Sequence, residues 1–419
     1  MKSSVIVAHP GAREHYALAT AAHKAGMLAR LITDFWNPFG EMTVELAKRC
    51  GIPVIQRLAQ RRVPTIPSDR VVAFYSQAIA AGFRQRSMRG IEATYYGFEH
   101  DGRAFAERAK RYCDVEHDLY FGYSCASLEV LQHERRNGIR TIVDQTGAAA
   151  IAEEIRIEEE SRNRDLSLQL GGRIPTRYFE RLQQEWAEAS RVVVNSQWSR
   201  SALVRQGVPN DKLHVVPLMY QPTPWAGPPT RVKGILRVLW LGKLSLLKGI
   251  AYALEAARLL EGSGIEFTFT GPLEIAVNRL RLPSNARYSG AVARNKVGDV
   301  YRVHDVFLFP TLSDGFGMTQ LEAMSHGLPV IATVRCGTVV QHGVSGLLVQ
   351  PADTHSIVEA LVMLKSDCDR LEALSSAAFA RSREFTPERI WPQYLRAMEE
   401  SSGHGLSPTL PQVESGAHE

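Results

Sequence analysis

No apolar run in this chain approaches the ~20 consecutive residues that a membrane-spanning helix requires. The opening stretch, Met1-Lys2-Ser3-Ser4-Val5-Ile6-Val7-Ala8-His9, passes directly into a short strand pattern. Its apolar part is too brief for a secretory leader and no small-residue cleavage site follows, so a cytoplasmic protein is expected. Cysteine is scarce: Cys50, Cys113, Cys125, Cys336 and Cys368 make an odd number with no CxxC spacing. That excludes a disulfide framework or a zinc knuckle and reads as buried free thiols in a reducing compartment. No G-x-G-x-x-G follows a strand, which disfavours a dinucleotide-dependent oxidoreductase. The Asp-x-Asp spacing occurs at Asp367-Cys368-Asp369, beside a charged helical pattern, where it reads as surface and not as a metal site. The histidines show no H-E-x-x-H spacing, so no metal is expected. A net charge of +5 is too small to argue for nucleic acid.

What is present is a chain of 419 residues, too long for one ordinary core, with 45% hydrophobic and 22% charged residues. Short β-branched runs alternate with helical patterns, which predicts βαβ units and parallel sheets. In the first half the expected strands are 4–8, 29–33, 119–122, 140–143, 192–195 and 214–216. In the second they are 237–241, 267–270, 286–289, 306–309, 330–332 and 346–349. A helix over 15–25 should stop at Gly26, which suits a left-handed cap. The acid-rich stretch 145–190 (Glu153, Glu154, Glu158, Glu159, Glu160) reads as largely solvent-facing helices. The proline-rich segment 221–230 is the linker candidate, and the apolar-poor residues 401–419 read as a disordered tail. The expected domains are 1–220 and 231–384, with a closing helix over 385–400. Basic residues gather at Arg57, Arg61, Arg62, Arg70, Arg84, Arg86 and Arg89. They are read either as solvated surface or as a patch facing anionic lipid or a phosphorylated acceptor.

Chemistry concentrates in Asp314-Gly315-Phe316-Gly317-Met318-Thr319-Gln320-Leu321-Glu322, directly after the apolar run Val306–Pro310. A strand, a glycine-rich turn and a helix N-terminus together form a phosphate cradle, because small residues admit a ligand to the backbone and first-turn amides point at an anion. Asp314 in the loop and Glu322 within the helix bracket that turn and suit hydroxyl groups. Upstream, Gly242, Lys243 and Lys248 follow the first strand of the second half, where two ammonium groups could meet phosphate oxygens.

These segments resemble the retaining GT-B glycosyltransferases of family 4. The stretch 314–322 is similar to that family's E-x7-E region, with Asp314 in place of the first Glu. Val238–Gly249 is similar to its GR-x5-KG stretch, with Lys243 in place of Arg. Arg191–Ser196, Gly207-Val208-Pro209 and His214–Pro217 also fit, so the resemblance covers roughly residues 190–400 and only loosely 1–150. It implies an α/β fold of two Rossmann-like domains facing a cleft, and a metal-independent enzyme with a nucleotide-sugar donor and a glycan or lipid-linked acceptor. By the same resemblance Lys243 and Lys248 stabilise the departing diphosphate, Glu322 binds the ribose, and Asp314 holds the donor sugar. The amides of Phe316, Gly317, Met318 and Thr319 meet sugar and phosphate, and Gly11 lies against the donor phosphate. On the acceptor side Asp144 orients the acceptor hydroxyl, stabilises positive charge on the sugar ring, or caps a helix. A sugar-nucleotide 2-epimerase of the same fold, or a non-catalytic sugar-nucleotide-binding partner, are the alternatives.

Overall fold

A computed structural model describes residues 3–50, 53–168, 172–222, 231–276 and 280–399. Most of the proline-rich segment (223–230) and the whole of 401–419 lie outside them. The first half builds a seven-stranded sheet from β1 (Val5–His9), β2 (Leu28–Thr33), β3 (Val71–Ala73), β4 (Leu119–Tyr123), β5 (Arg140–Gln145), β6 (Arg191–Val194) and β7 (Leu213–Val215). Their order is β3-β2-β1-β4-β5-β6-β7. The second half builds a six-stranded sheet from β8 (Leu236–Leu241), β9 (Ile265–Thr270), β10 (Ala286–Gly290), β11 (Val306–Phe309), β12 (Val330–Thr333) and β13 (Gly346–Val349). There the order is β10-β9-β8-β11-β12-β13. Every pairing is parallel. The central strands are buried along their length, as the Val-Ile-Val-Ala and Val-Phe-Leu-Phe runs require of strands covered by helices on both faces.

Strand order reverses between β1 and β4 in one sheet and between β8 and β11 in the other. Ligands of open α/β sheets bind beyond the C-terminal strand ends at such points. The turns there are His9-Pro10-Gly11 and Gly242-Lys243, followed after β11 by Pro310–Gly317. A continuous cluster of buried side chains runs from Val7 of β1 through Tyr394 to Phe307 of β11. Tyr394 belongs to the helix Pro387–Glu399, whose last carbonyls accept bonds from Arg140 Nη1 (to Met398, 2.9 Å) and Arg191 Nη1 (to Ala397, 3.3 Å). The C-terminal helix thus rests on the first sheet.

Four local expectations are corrected. The strand Val71–Ala73 was not anticipated, because three residues beside a turn give no period to read. The helix expected over 15–25 starts at Ala17, after a short 3-10 turn Arg13–Tyr16 in which Glu14, His15 and Tyr16 all take left-handed φ of 48°, 51° and 61°. The helices Ala150–Arg162 and Thr176–Glu188 are only half solvent-facing: Glu154 and Glu158 are exposed, but Glu153, Glu159, Glu160, Arg181 and Glu185 are buried. Their charges are matched locally. Glu185 accepts the amides of Cys125 (2.6 Å), Ser127 (2.8 Å) and Leu128 (3.1 Å), capping the helix Leu128–Arg136 from outside. Glu159 accepts the Tyr252 hydroxyl at 2.9 and 3.0 Å and so ties the first half to the second. Cys113, Cys125, Cys336 and Cys368 are free thiols, and Cys368 is exposed where burial was expected.

Candidate active site in the interdomain cleft

The second sheet supplies one wall. The 3-10 turn Leu246–Lys248 is held against the loop after β11 by the Leu312 amide, which donates to the Leu247 carbonyl at 2.9 Å. Gly249 permits that contact. Its φ is +81° and a Cβ there would stand 2.1 Å from the Pro310 carbonyl oxygen. The Lys248 ammonium consequently reaches the Asp314 carboxylate and forms a short ion pair with it. Asp314 Oδ1 also accepts the Phe316 amide at 3.1 Å, closing an Asx turn. Gly317 caps the helix Met318–Ser325 with φ +82°, and a Cβ at that position would press 2.6 Å from the Phe309 ring. Met318 and Thr319, whose first-turn amides have no acceptor within the helix, line the cleft.

The first sheet supplies the opposite wall through Arg13, Thr146 and Asn195. The enclosed space is about 270 Å3 and is lined by Gly242, Lys243, Lys248 and Asp314–Thr319 on the other side. Arg13 is bonded to the Thr146 hydroxyl and lies 3.6 Å from both Glu14 and Asp144. Asp144 is fully buried on β5, and Asn195 Nδ2 donates to it at 3.3 Å. Burial raises its pKa, with the Arg13 charge opposing. Burial, reinforced by the Asp144 charge, likewise pushes the Glu14 carboxyl up to about 7. The left-handed turn carrying Glu14 is backbone strain of the kind that gathers at functional sites, about 1–3 kcal/mol per residue.

A second cavity of about 480 Å3 adjoins the first beneath the C-terminal ends of β1 and β4, and the two share Arg13 and Thr146 as lining residues. His9, Gly11, the Asp34–Arg61 pair, Gln77 and Asp101 line the second one.

The residues singled out from the sequence divide accordingly. Gly242, Lys243, Lys248, Asp314, Phe316, Gly317, Met318 and Thr319 all line the first cleft. Lys243 is 64% exposed and pairs at the rim with Glu274 at 2.7 Å. The Phe316 amide is taken by Asp314 and is not free for a ligand. Glu322 stands behind the cleft, where Tyr301 donates to its Oε2 at 3.1 Å. Gly11 opens onto the second cavity and its amide is spent on Asp34 Oδ1 at 2.7 Å. Asp144 caps no helix, since it lies within a strand and the next helix begins at Ala150. Arg13, Thr146, Asn195 and His9 escaped sequence reasoning. Of these, His9 could have been found from its place at the end of the first strand.

Two parallel sheets meeting at their switch points around a cleft define a GT-B protein. Residues 236–367, which carry the Lys248 turn and the Asp314 loop, match the family described as Glycosyl transferases group 1. Among curated proteins the chain is 29% identical over 160 residues to a sulfoquinovosyl transferase of Arabidopsis thaliana, covering 37% of this chain and 30% of that protein. It is 28% identical over 266 residues to a D-inositol 3-phosphate glycosyltransferase of Rhodococcus jostii, covering 56% and 59% respectively. The chain thus spans less than two thirds of the length of these relatives. Among solved structures, sucrose-phosphate synthase from Thermosynechococcus elongatus superposes with a TM-score of 0.63 at 16% identity, covering 96% of this chain and all of that one. HepE from Anabaena, solved with UDP and glucose, superposes with a TM-score of 0.56 at 14% identity, covering 95% and 99%.

Proposed function

We propose that this protein is a retaining glycosyltransferase that moves a sugar from a nucleoside-diphosphate sugar to a glycan or lipid-linked acceptor. The observation that carries this reading is the convergence of Lys248, the Met318 and Thr319 amides and the glycine-rich turn on one cleft, inside the segment that matches the group 1 family. A departing diphosphate accumulates negative charge, and preorganised cations and amides lower the barrier by binding that charge more strongly as the bond breaks. Lys248 is the principal group, held in place by Asp314. Lys243 is the second cation at the mouth. Asp314 also offers acceptor oxygens to donor-sugar hydroxyls, and Glu322 supports the ribose side of the helix. In this reading Asp144 serves through Arg13 and does not touch the acceptor. The leaving phosphate takes the acceptor's proton on the same face, so neither an enzymic nucleophile nor a metal is needed. UDP-bound neighbours such as HepE support a nucleotide donor.

The same reading places the protein in polysaccharide or envelope biosynthesis, working in the cytoplasm against the inner face of an anionic membrane. Among the described residues no helix is long and apolar enough to cross a membrane. The helix Tyr75–Ser87, however, exposes Tyr75, Ile79 and Phe83 four residues apart, a single apolar stripe. Between Val71 and Ile91 the chain carries Arg86 and Arg89 and no acidic residue, beside Arg84, which is paired with Asp101. That combination suits an interfacial helix on anionic lipid.

The donor assignment is tested by thermal stabilisation with UDP-, GDP- and ADP-sugars, since a ligand that binds only the folded state raises Tm with its affinity. One nucleotide class should raise Tm, and no response to any of the three would sink the reading. Release of an altered sugar nucleotide in the absence of acceptor would replace it with an epimerase.

A further inference from the structure

We propose that Arg13 is the first sheet's cation for the donor diphosphate, and that the Glu14 carboxylate takes up a proton when the diphosphate binds. The inference rests on the reading that the cleft holds a nucleotide sugar. It arises from a charge imbalance in the cleft wall. One guanidinium stands between two carboxylates, with Glu14 Oε1 3.6 Å from its Nε and Asp144 Oδ1 3.6 Å from its Nη2. Neither contact is a hydrogen bond, and both oxygens are buried without a partner. The Glu14 and Asp144 side chains are 8% and 0% exposed, whereas that of Arg13 is 26% exposed and lines the cleft together with Lys248 and Asp314. Of the five N–H donors on Arg13, one is given to the Thr146 hydroxyl, and the side chain makes no other hydrogen bond among the described residues.

With both carboxylates ionised this buried group carries one surplus negative charge, which a low-dielectric site resists. One proton relieves it. Burial, followed by the Asp144 charge, pushes the Glu14 carboxyl up to about 7, and burial raises Asp144 as well. Asp144 keeps a donor to its second oxygen, Asn195 Nδ2 at 3.3 Å, so Glu14 is where the proton resides. The Met219 backbone, after β7, opposes the rise at Glu14 only in part. The remaining titratable groups nearby stay neutral above pH 7. Burial raises Tyr123 at the end of β4 and Tyr394 of the C-terminal helix well above the ordinary phenol value. His9, beyond Arg13, is lowered to about 4, and burial lowers His15, the next residue of the turn.

A diphosphate in the cleft adds negative charge on the open side of Arg13. It draws the spare N–H groups to itself in charge-assisted hydrogen bonds, and it makes an ionised Glu14 less favourable. An ionised Glu14 competes with the ligand for Arg13, and a protonated one does not. Donor affinity and Glu14 protonation therefore favour each other by the same factor. Glu14 acts through Arg13 and is a positioning residue. Its proton comes from solvent and returns there when the nucleoside diphosphate leaves.

The test is isothermal titration calorimetry of the full chain with UDP-glucose, GDP-mannose and ADP-glucose. None of these ligands titrates between about pH 5.5 and 8.5, so any proton exchanged belongs to the protein. For the one that binds, heats compared in HEPES and Tris at pH 7.5 should show uptake of about half a proton. At pH 5.5, where Glu14 already holds its proton, uptake should vanish. Affinity should fall about fivefold from pH 6 to 8.5. Glu14→Gln should abolish both the uptake and the fall, and Arg13→Gln should weaken binding at least about tenfold. No uptake by the wild type at pH 7.5, undiminished uptake in a folded Glu14→Gln protein, or undiminished binding by Arg13→Gln would overturn the proposal. Binding of none of the three sugar nucleotides would instead remove the donor reading beneath it. Should Glu14→Gln fail to fold, the wild-type proton count and Arg13→Gln decide between these outcomes.

Discussion

Lys248 lines the cleft and, in the proposed reading, meets the departing diphosphate, so its removal should be felt in turnover and not in folding. Lys248→Ala is expected to lower kcat about 100-fold, some 3 kcal/mol of transition-state stabilisation, with Tm within a few degrees of wild type. Single-turnover kinetics with the stabilising donor checks it. His9 gives a pH signature of its own. Its pKa in the folded chain, about 4, lies below the ordinary 6.5, because burial and Arg13 outweigh the nearby Asp34. Stability present above pH 6.5 should therefore be lost as the pH falls toward 4, where the unfolded chain takes up a proton that the folded one resists. His9→Phe should flatten that loss by about 3 kcal/mol at pH 4, read from urea midpoints across pH 4–7. At this scale one wall of the cleft was legible in the sequence, since Lys243, Lys248 and Asp314 to Thr319 fall within two short local motifs. Arg13 and Asn195 were not, because their meaning comes from partners about 130 and 50 residues away.

Turns set the elements against each other here. Gly249 at φ +81° lets the Lys248 turn lie on the Pro310 carbonyl, and Gly315 approaches Gly147 across the cleft, where a Cβ would stand 2.8 Å from the Gly147 nitrogen. Gly249→Ala should therefore destabilise by more than about 2 kcal/mol, measured by denaturant unfolding. Gly315→Ala should instead leave the second sheet intact and force the two loops apart, lowering donor affinity in a nucleotide titration. The acid-rich helices 150–162 and 176–188 show why period and composition misled. Glu185 and Glu159 look like solvated charges until the amides of 125–128 and the Tyr252 hydroxyl are brought to them. The strand Val71–Ala73 is short enough that pairing with β2, not its own pattern, makes it a strand.

The whole molecule joins two sheets by a shared core, a helix that returns to the first sheet, and a clasp between Glu159 and Tyr252. On its outer side the helix Tyr75–Ser87 presents Ile79 and Phe83, 58% and 67% exposed, above the wall of the second cavity that Gln77 helps to form. Co-sedimentation with phosphatidylglycerol vesicles should exceed that with phosphatidylcholine and fall with added salt. Ile79→Ser with Phe83→Ser should reduce it at least about tenfold, because each apolar side chain contributes about 1.5–3 kcal/mol on burial. Equal binding of wild type and variant would show that another surface makes the contact. From the sequence alone came the alternation of strands and helices, hence two parallel sheets, and the strand–turn–helix that lines the cleft. Both are local: a β-branched run or a glycine beside a helix start acts over a few residues. Only the tertiary structure decided that Asp144 is a buried brace for Arg13 and that Gly11 faces a second cavity. Those outcomes depend on which distant groups burial brings within hydrogen-bonding distance, and no local pattern carries that information.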